Sequence, residues 1–464
     1  MTMDMVKELR ALIGETAVLD AADVATRSAG AMRPDNLQGA ALARPASTAE
    51  VAAVLGWCNA HNVAVVPVGG LTGLVHGADG SADTLMLSME RMNRIEAIDS
   101  RQRCATVQSG VVLQTLQEAV EAEGLIFPLD LGARGSATVG GNAATNAGGN
   151  RVIRYGMMRN MVLGLEAVLA DGTVVSSLNN LIKNNAGYDL KQLFIGSEGT
   201  LGVITRLNLR LWEAPTTRNM ALLGLEDFAS VTALLKRMDR DLGGTLSAYE
   251  VMWQDFYRLV TTEPAAGRPP IAQDYPYYVL LESQGADPEG DSDRFAAALE
   301  SAMEAGLVVD GALSQSESDC ERFWGLRDDV EQVFRDGYPV VFDVSLPIAE
   351  MEGYVAGLRT ALAEQVPGHH LLVFGHLGDG NLHVIVQVPH DQGTALRPVV
   401  ERIVYAPLAA FKGSVSAEHG IGLEKQPWIG ISRGAEELAL MRTLKGALDP
   451  RNILNPGKVL PPAP

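Results

Sequence analysis

The 464-residue sequence predicts an α+β protein of more than one domain. Three observations carry this reading. Helix-like and strand-like stretches alternate from about residue 48 onward. The 48 glycines gather into clusters that follow strands instead of scattering. After Pro215 the clusters stop, and strands and helices alternate afresh. The expected division is an N-terminal helical segment over 1–35, a glycine-rich domain over 36–214, a second α+β domain with an antiparallel sheet over 215–404, and a small helical C-terminal segment over 405–464.

Residues 4–16 read as an amphipathic helix. After Pro45, Thr48 is placed to cap a helix running to about His61. A buried strand, Val63 to Val68, then runs into Gly69-Gly70-Leu71-Thr72-Gly73. Further strands are expected at Leu85–Ser88 and Ala105–Gln108, with a helix from Val112 to Glu123. Strands Leu163–Leu169 and Thr173–Val175 flank Asp171-Gly172, a hairpin signal because glycine accepts the positive φ of such turns. Beyond residue 215, strands fall near 220–225, 277–282 and 340–345, with a strand pair around a glycine turn inside 371–388. Helices fall at 227–240, 292–305, 319–335 and 349–364, then at 396–411 and 434–448.

Composition excludes several classes. Hydrophobic residues make up 47% and charged residues 20%, the balance of a soluble globular chain. A net charge of −19 without any Lys/Arg run repels phosphate backbones, so no nucleic-acid partner is expected. No run of about 18 apolar residues occurs, so no membrane span is expected either. Cys58, Cys104 and Cys320 stand far apart without a CxxC pair, which suggests reduced thiols. With no signal-peptide core in Met1–Gly14, a cytoplasmic location is the expectation.

The glycine clusters carry the first chemistry. Pro67-Val68-Gly69-Gly70-Leu71-Thr72-Gly73-Leu74 follows a strand and can turn successive N–H groups toward phosphate oxygens, or serve only as a tight turn. It is neither GxGxxG nor GxxxxGK[ST], which disfavours a nicotinamide Rossmann site and a Walker ATPase. From Gly135 to Gly149, small residues would let a flat ligand approach the backbone, with Ser136, Thr138, Asn142, Thr145 and Asn146 as uncharged hydrogen-bonding groups. A third cluster, Gly196-Ser197-Glu198-Gly199-Thr200-Leu201-Gly202, favours a dinucleotide ligand.

The second half carries Gly375-His376-Leu377-Gly378-Asp379-Gly380-Asn381-Leu382-His383 and Ser416-Ala417-Glu418-His419-Gly420. A bend at the glycines can bring His376 and His383 together, and Glu418 or His419 could complete a three-ligand divalent metal site. HExxH is absent, so a zincin protease is unsupported.

In this order and spacing, the three glycine clusters with Arg154-Tyr155-Gly156 resemble the vanillyl-alcohol oxidase/p-cresol methylhydroxylase (PCMH-type) FAD superfamily. Over nearly the whole chain the resemblance is to its D-lactate dehydrogenase, glycolate oxidase subunit and D-2-hydroxyglutarate dehydrogenase branch. It implies that Pro67–Leu74 wraps the FAD pyrophosphate and that Ser136, Thr138, Gly141, Asn142 and Thr145 line the cofactor, with Ile204 on the adenine side. Pro128, Gly135, Asn146, Glu198, Gly202 and Asn455 join them as expected cofactor contacts. Leu71 stands where some relatives carry a flavin-linking histidine, so non-covalent FAD is expected. The branch further implies His376, His383 and Glu418 as ligands of Zn²⁺ (or Mn²⁺ or Fe²⁺), His419 as base, and Asn381 and Arg327 as substrate contacts.

Dicarboxylate readers of this branch place a Thr one turn after that Arg and a Lys on the next strand. Here the positions carry Glu331 and Val341. The expected function is therefore FAD- and metal-dependent oxidation of a D-2-hydroxy acid, a D-lactate-like monocarboxylate favoured over D-2-hydroxyglutarate. A zinc-dependent hydrolase and a non-catalytic FAD-binding subunit are the alternatives from other classes. The expected partners are the small acid, an electron acceptor (quinone, electron-transfer flavoprotein or cytochrome) and, as one option, a second copy in a homodimer.

Overall fold

Short apolar strands joined through helices or glycine turns must bury both faces, and the chain does so in two units. The computed structural model describes residues 2–30 and 33–461. The first unit comprises Met1–Gly148, Gly156–Ala214 and Glu418–Pro464; the second comprises Gly149–Tyr155 and Pro215–Ala417.

In the first unit, Val18–Asp20 (β1), Ala41–Ala43 (β2), Val65–Val68 (β3) and Leu85–Ser88 (β4) form a sheet in the order β1-β2-β4-β3. Strands β2 and β3 run parallel to β4, and such pairing needs a crossover. Helix Thr48–His61 supplies one between β2 and β3, burying Val51, Val54, Leu55 and Cys58. Its cap is Ser47, not Thr48: Ser47 Oγ accepts from Glu50 N at 3.2 Å. Thr48 instead donates its hydroxyl to Glu166 Oε1 at 2.6 Å.

A second sheet holds Ile95–Asp99 (β5) and Cys104–Gln108 (β6). The short strand Leu125–Ile126 (β7) stands apart from it. Val162–Val168 (β8), Val174–Ser176 (β9) and Val203–Arg210 (β10) complete the sheet in the order β5-β6-β10-β8-β9, and Trp212–Glu213 (β11) pairs with β7. The β8–β9 hairpin turns at Asp171-Gly172 as expected, with Gly172 at φ +87°.

The second unit is built on one seven-stranded antiparallel sheet. Its strands are Thr217–Leu225 (β12), Leu246–Trp253 (β13), Tyr277–Gly285 (β14), Asp310–Leu313 (β15), Tyr338–Ser345 (β16), His370–Gly375 (β17) and Asn381–Val388 (β18). They lie in the order β15-β12-β14-β13-β17-β18-β16. Alternation along a strand has period two. The registers Met252↔Phe374, Phe374↔His383 and His383↔Asp343 therefore put Glu250, His376, His383, Asn381, Asp343 and Val341 on one face. Helices Gln254–Thr261 and Glu317–Asp328 cover that face, packing Phe256, Phe323 and Trp324 with Met252, Phe374 and Ile385.

One helix differs from expectation in a way that bears on the site. A continuous helix over 319–335 was expected, yet it ends at Asp328, and a 3₁₀ turn takes over at Val330–Phe334. Asp328 and Asp329 put two carboxylates at a helix C-terminus, where the dipole repels negative charge. Asp329 accordingly leaves the helical region at φ −75°, ψ 50°.

All three cysteines are free and buried. Among the described residues no helix is long and apolar enough to cross a membrane.

Candidate active site

Within the first unit a cavity of about 360 Å³ opens where the glycine clusters meet. Its wall includes every residue from Pro67 to Leu74, then Thr138, Gly141, Asn142 and Thr145, and also Glu198, Gly202, Ile204 and Asn455. Glu418 and His419 stand on the same wall. Pro128, Gly135, Ser136 and Asn146, expected as cofactor contacts, do not. Asn146 is spent on structure: it ends helix Val139–Thr145 in a left-handed conformation, and its Oδ1 accepts from Arg159 N at 2.9 Å. Ser136 turns its carbonyl against Gly70, where any Cβ would collide with it.

The wall suits a flat polar cofactor. Ser109 Oγ, Asn142 Oδ1 and Asn455 Oδ1 are buried there without a hydrogen-bond partner among the described residues. Buried polar atoms are nearly always satisfied, so three orphans around one cavity fit a ligand rich in donors and acceptors, as FAD is. Leu71 and His76 hold φ of +55° and +60°, strained for residues with a Cβ. His76 Nδ1 lies 3.0 Å from Asp79 Oδ2, and Arg33 is ion-paired with Asp79. Sequence reasoning missed Ser109 and this Arg33–Asp79–His76 group, because none of them belongs to a glycine cluster.

On the sheet face of the second unit, Glu250 is 1% exposed and bridges two expected site residues. Its Oε2 accepts from Arg327 Nε at 2.8 Å, and its Oε1 lies 2.6 Å from His376 Nδ1. Burial alone would raise this carboxyl, but the facing His376 and Arg327 hold it at about 2. Carboxylates only accept and guanidinium only donates. His376 therefore carries its proton on Nδ1 and leaves Nε2, 3.2 Å from Arg327 Nη2, as the lone-pair nitrogen. Arg327 also stacks over Phe374, 5.0 Å from the ring centroid, and lies 3.3 Å from Asp328.

The rings of His376 and His383 are 5.2 Å apart. Asn381 Nδ2 donates to Asp343 Oδ1 at 2.8 Å and to Val344 O at 3.0 Å, while its Oδ1 is buried without a partner among the described residues. The other Asp343 oxygen accepts from Ala417 N at 3.0 Å and Ser416 Oγ at 3.2 Å. Glu418 and His419 follow Ala417 directly in the chain. Of the two substrate-discriminating positions, Glu331 is exposed on the 3₁₀ turn, and Val341 packs beside Ile385. Glu250 and Asp343 were missed in the sequence, although each is the lone charge in its strand.

A glycine-walled FAD cavity followed in the chain by a buried His/Asp/Glu/Arg sheet face defines a flavin-dependent oxidoreductase. The comparisons agree: residues 39–177 match the FAD binding domain and residues 214–459 the C-terminal domain of FAD linked oxidases. The chain belongs to the FAD-linked oxidase family. It is an FAD-dependent D-2-hydroxy acid dehydrogenase, an oxidoreductase acting on CH–OH, which removes the hydrolase alternative.

Mitochondrial D-2-hydroxyglutarate dehydrogenase of Bos taurus is 45% identical over 421 residues, covering 90% of this chain and 76% of that protein. D-2-hydroxyglutarate dehydrogenase of Xanthomonas citri pv. viticola is 41% identical over 423 residues, covering 90% and 89%. Among solved structures, p-cresol methylhydroxylase with substrate bound superposes with a TM-score of 0.77 at 18% identity, covering 99% of this chain and 97% of that one. The expected cytoplasmic location is corrected by these comparisons, since the bovine, rat and Arabidopsis thaliana relatives are named mitochondrial. Unpaired thiols report a reducing environment, not a particular compartment.

Proposed function

We propose that the protein oxidises a D-2-hydroxy monocarboxylate to the 2-oxo acid, with His419 as the base. The observation that carries this reading is His419 on the wall of the FAD cavity, because a base must stand beside the cofactor that takes the hydride. FAD supplies that hydride acceptor when bound, non-covalently since position 71 is Leu. His419 takes the hydroxyl proton as the C2–H bond breaks. Arg327 offers a planar, doubly donating face to the C1 carboxylate, and Glu250 fixes its plane. Asn381, on the same sheet face, is a further candidate for substrate contact.

His376, His383 and Glu418 are the residues that would hold a divalent metal, and the donor set, two imidazoles and a carboxylate, suits zinc. The 5.2 Å approach of the His376 and His383 rings supports this assignment. Such a metal would supply Lewis acidity that lowers the pKa of the substrate hydroxyl.

For the substrate tail, Val341 presents an apolar side chain two positions from Asp343 on the shared face, offering no cation to a second carboxylate. Exposed Glu331 no longer bears on the choice. D-2-hydroxyglutarate is the second reading, favoured by the names of the relatives. The electron acceptor is a quinone, an electron-transfer flavoprotein or a cytochrome. The test is His419→Ala, which should keep its flavin and metal and slow anaerobic flavin reduction by 10²–10⁴-fold. Reduction at the parental rate would remove His419 from the mechanism.

A further inference from the structure

Glu198 stands on the cavity wall, yet its carboxylate is already committed elsewhere. Oε1 accepts from Ile421 N at 2.7 Å and Oε2 from Gly422 N at 2.8 Å, so one carboxylate grips two successive amides. Its backbone is fixed as firmly. Glu198 N donates to Ala144 O at 2.8 Å, and Asn455 Nδ2 donates to Glu198 O at 2.8 Å. The residue sits at φ +52° between Gly196 at +79° and Gly199 at +72°. A side chain in that region is uncommon and persists where its surroundings over-determine it. Burial pushes the carboxyl up, and the two amides and Lys425 only partly offset that.

The gripped segment is the one that carries Glu418 and His419. Beyond it, Leu423 N donates to Val75 O at 3.0 Å. Gly420 and Gly422, at φ +86° and +52°, leave no room for a side chain: a Cβ on Gly420 would lie 2.9 Å from Glu198 Oε1, and one on Gly422 would collide with Val75 O. Residues 420–423 are therefore clamped between the Glu198 carboxylate and the Val75 carbonyl. Only a carboxylate offers two acceptor oxygens to two N–H donors; Gln would turn a donor toward one of them.

We propose that Glu198 is a positioning residue, which sets the placement of His419 at the cavity wall through the Ile421 and Gly422 amides. The inference rests on His419 being the base. Resemblance alone assigns Glu198 to the cofactor; its carboxylate bonds to the Ile421 and Gly422 amides assign it to the 418–422 loop.

The test compares holoenzyme variants by rapid anaerobic mixing with the hydroxy acid, measuring flavin content, reduction rate per bound flavin and KM. Glu198→Gln should keep its flavin and change KM little, while reduction slows about tenfold or more, the scale of a small misplacement of a reacting group. Added to His419→Ala, it should slow reduction no further. A variant that reduces at the parental rate overturns the inference. So does a loss restored by saturating FAD, or a Glu198→Gln effect that is undiminished in the His419→Ala background. Where Glu198→Gln does not fold, Gly420→Ala perturbs the clamp from the other side and should give the same slow, flavin-replete enzyme; a parental rate there is equally contrary. Should His419→Ala alone keep full activity, the base assignment fails, a result separate from failure of the clamp.

Discussion

Glu250 is the side chain on which the sheet face turns. It holds Arg327 and His376 at once, and neither partner is exposed enough for water to replace it. Removing one member of a buried charge set strands the others, so Glu250→Ala should cost about 3–5 kcal/mol. Denaturant unfolding of the flavin-loaded protein checks this, and a midpoint unchanged from the parent would mean that Arg327 finds another partner. The same residue shows what the sequence conceals. His376, His383 and Arg327 were legible because glycine-embedded histidines and a matching Arg motif mark themselves. Glu250 lies 126 positions from His376, and only the β13–β17 register brings it there. Asp343 is hidden likewise, reached through its pairing with His383 across β16 and β18.

At the scale of elements, β14 carries another fully buried carboxylate. Glu282 meets Arg151 Nε at 3.0 Å, Arg218 Nε at 2.8 Å, Ser247 Oγ at 2.7 Å and Trp324 Nε1 at 3.1 Å. Burial opposes ionisation here, but Arg151 and Arg218 prevail and hold the carboxyl at about 2. The ordinary unfolded value is about 4.3, so the folded state binds this proton less readily. Its contribution, about 3 kcal/mol, is fully present above the unfolded value and disappears as pH falls toward 2. Urea midpoints measured from pH 5 downward should fall more shallowly for Glu282→Gln than for the parent; parallel slopes would contradict the ion-pair account. Several strand positions and the β8–β9 hairpin were legible because glycine and apolar runs punctuate them; the strand order was not. The end of the helix at Asp328 was not, since the cost of Asp328-Asp329 at a helix terminus competes with an otherwise helical pattern.

At the scale of the whole molecule, a flavin-binding half and a half bearing the histidine, arginine and carboxylate chemistry share one chain, and family membership fixes the reaction class. Substrate choice is finer, and the proposed reading places it at Val341. Val341→Lys should raise kcat/KM for D-2-hydroxyglutarate relative to D-lactate by about tenfold, as a new charge-assisted bond would. An unchanged ratio would show that the tail is read elsewhere. The glycine clusters made the cofactor legible from sequence alone, whereas one valine among apolar strand residues signals only by what it lacks.

The most direct test is the visible spectrum of the purified protein under anaerobic conditions, titrated in turn with D-lactate, L-lactate and D-2-hydroxyglutarate. An oxidised flavin band bleached by D-lactate and not by its enantiomer, with D-2-hydroxyglutarate weaker, is the expected result. A bound flavin bleached by D-2-hydroxyglutarate alone, or by none of the three, would contradict it.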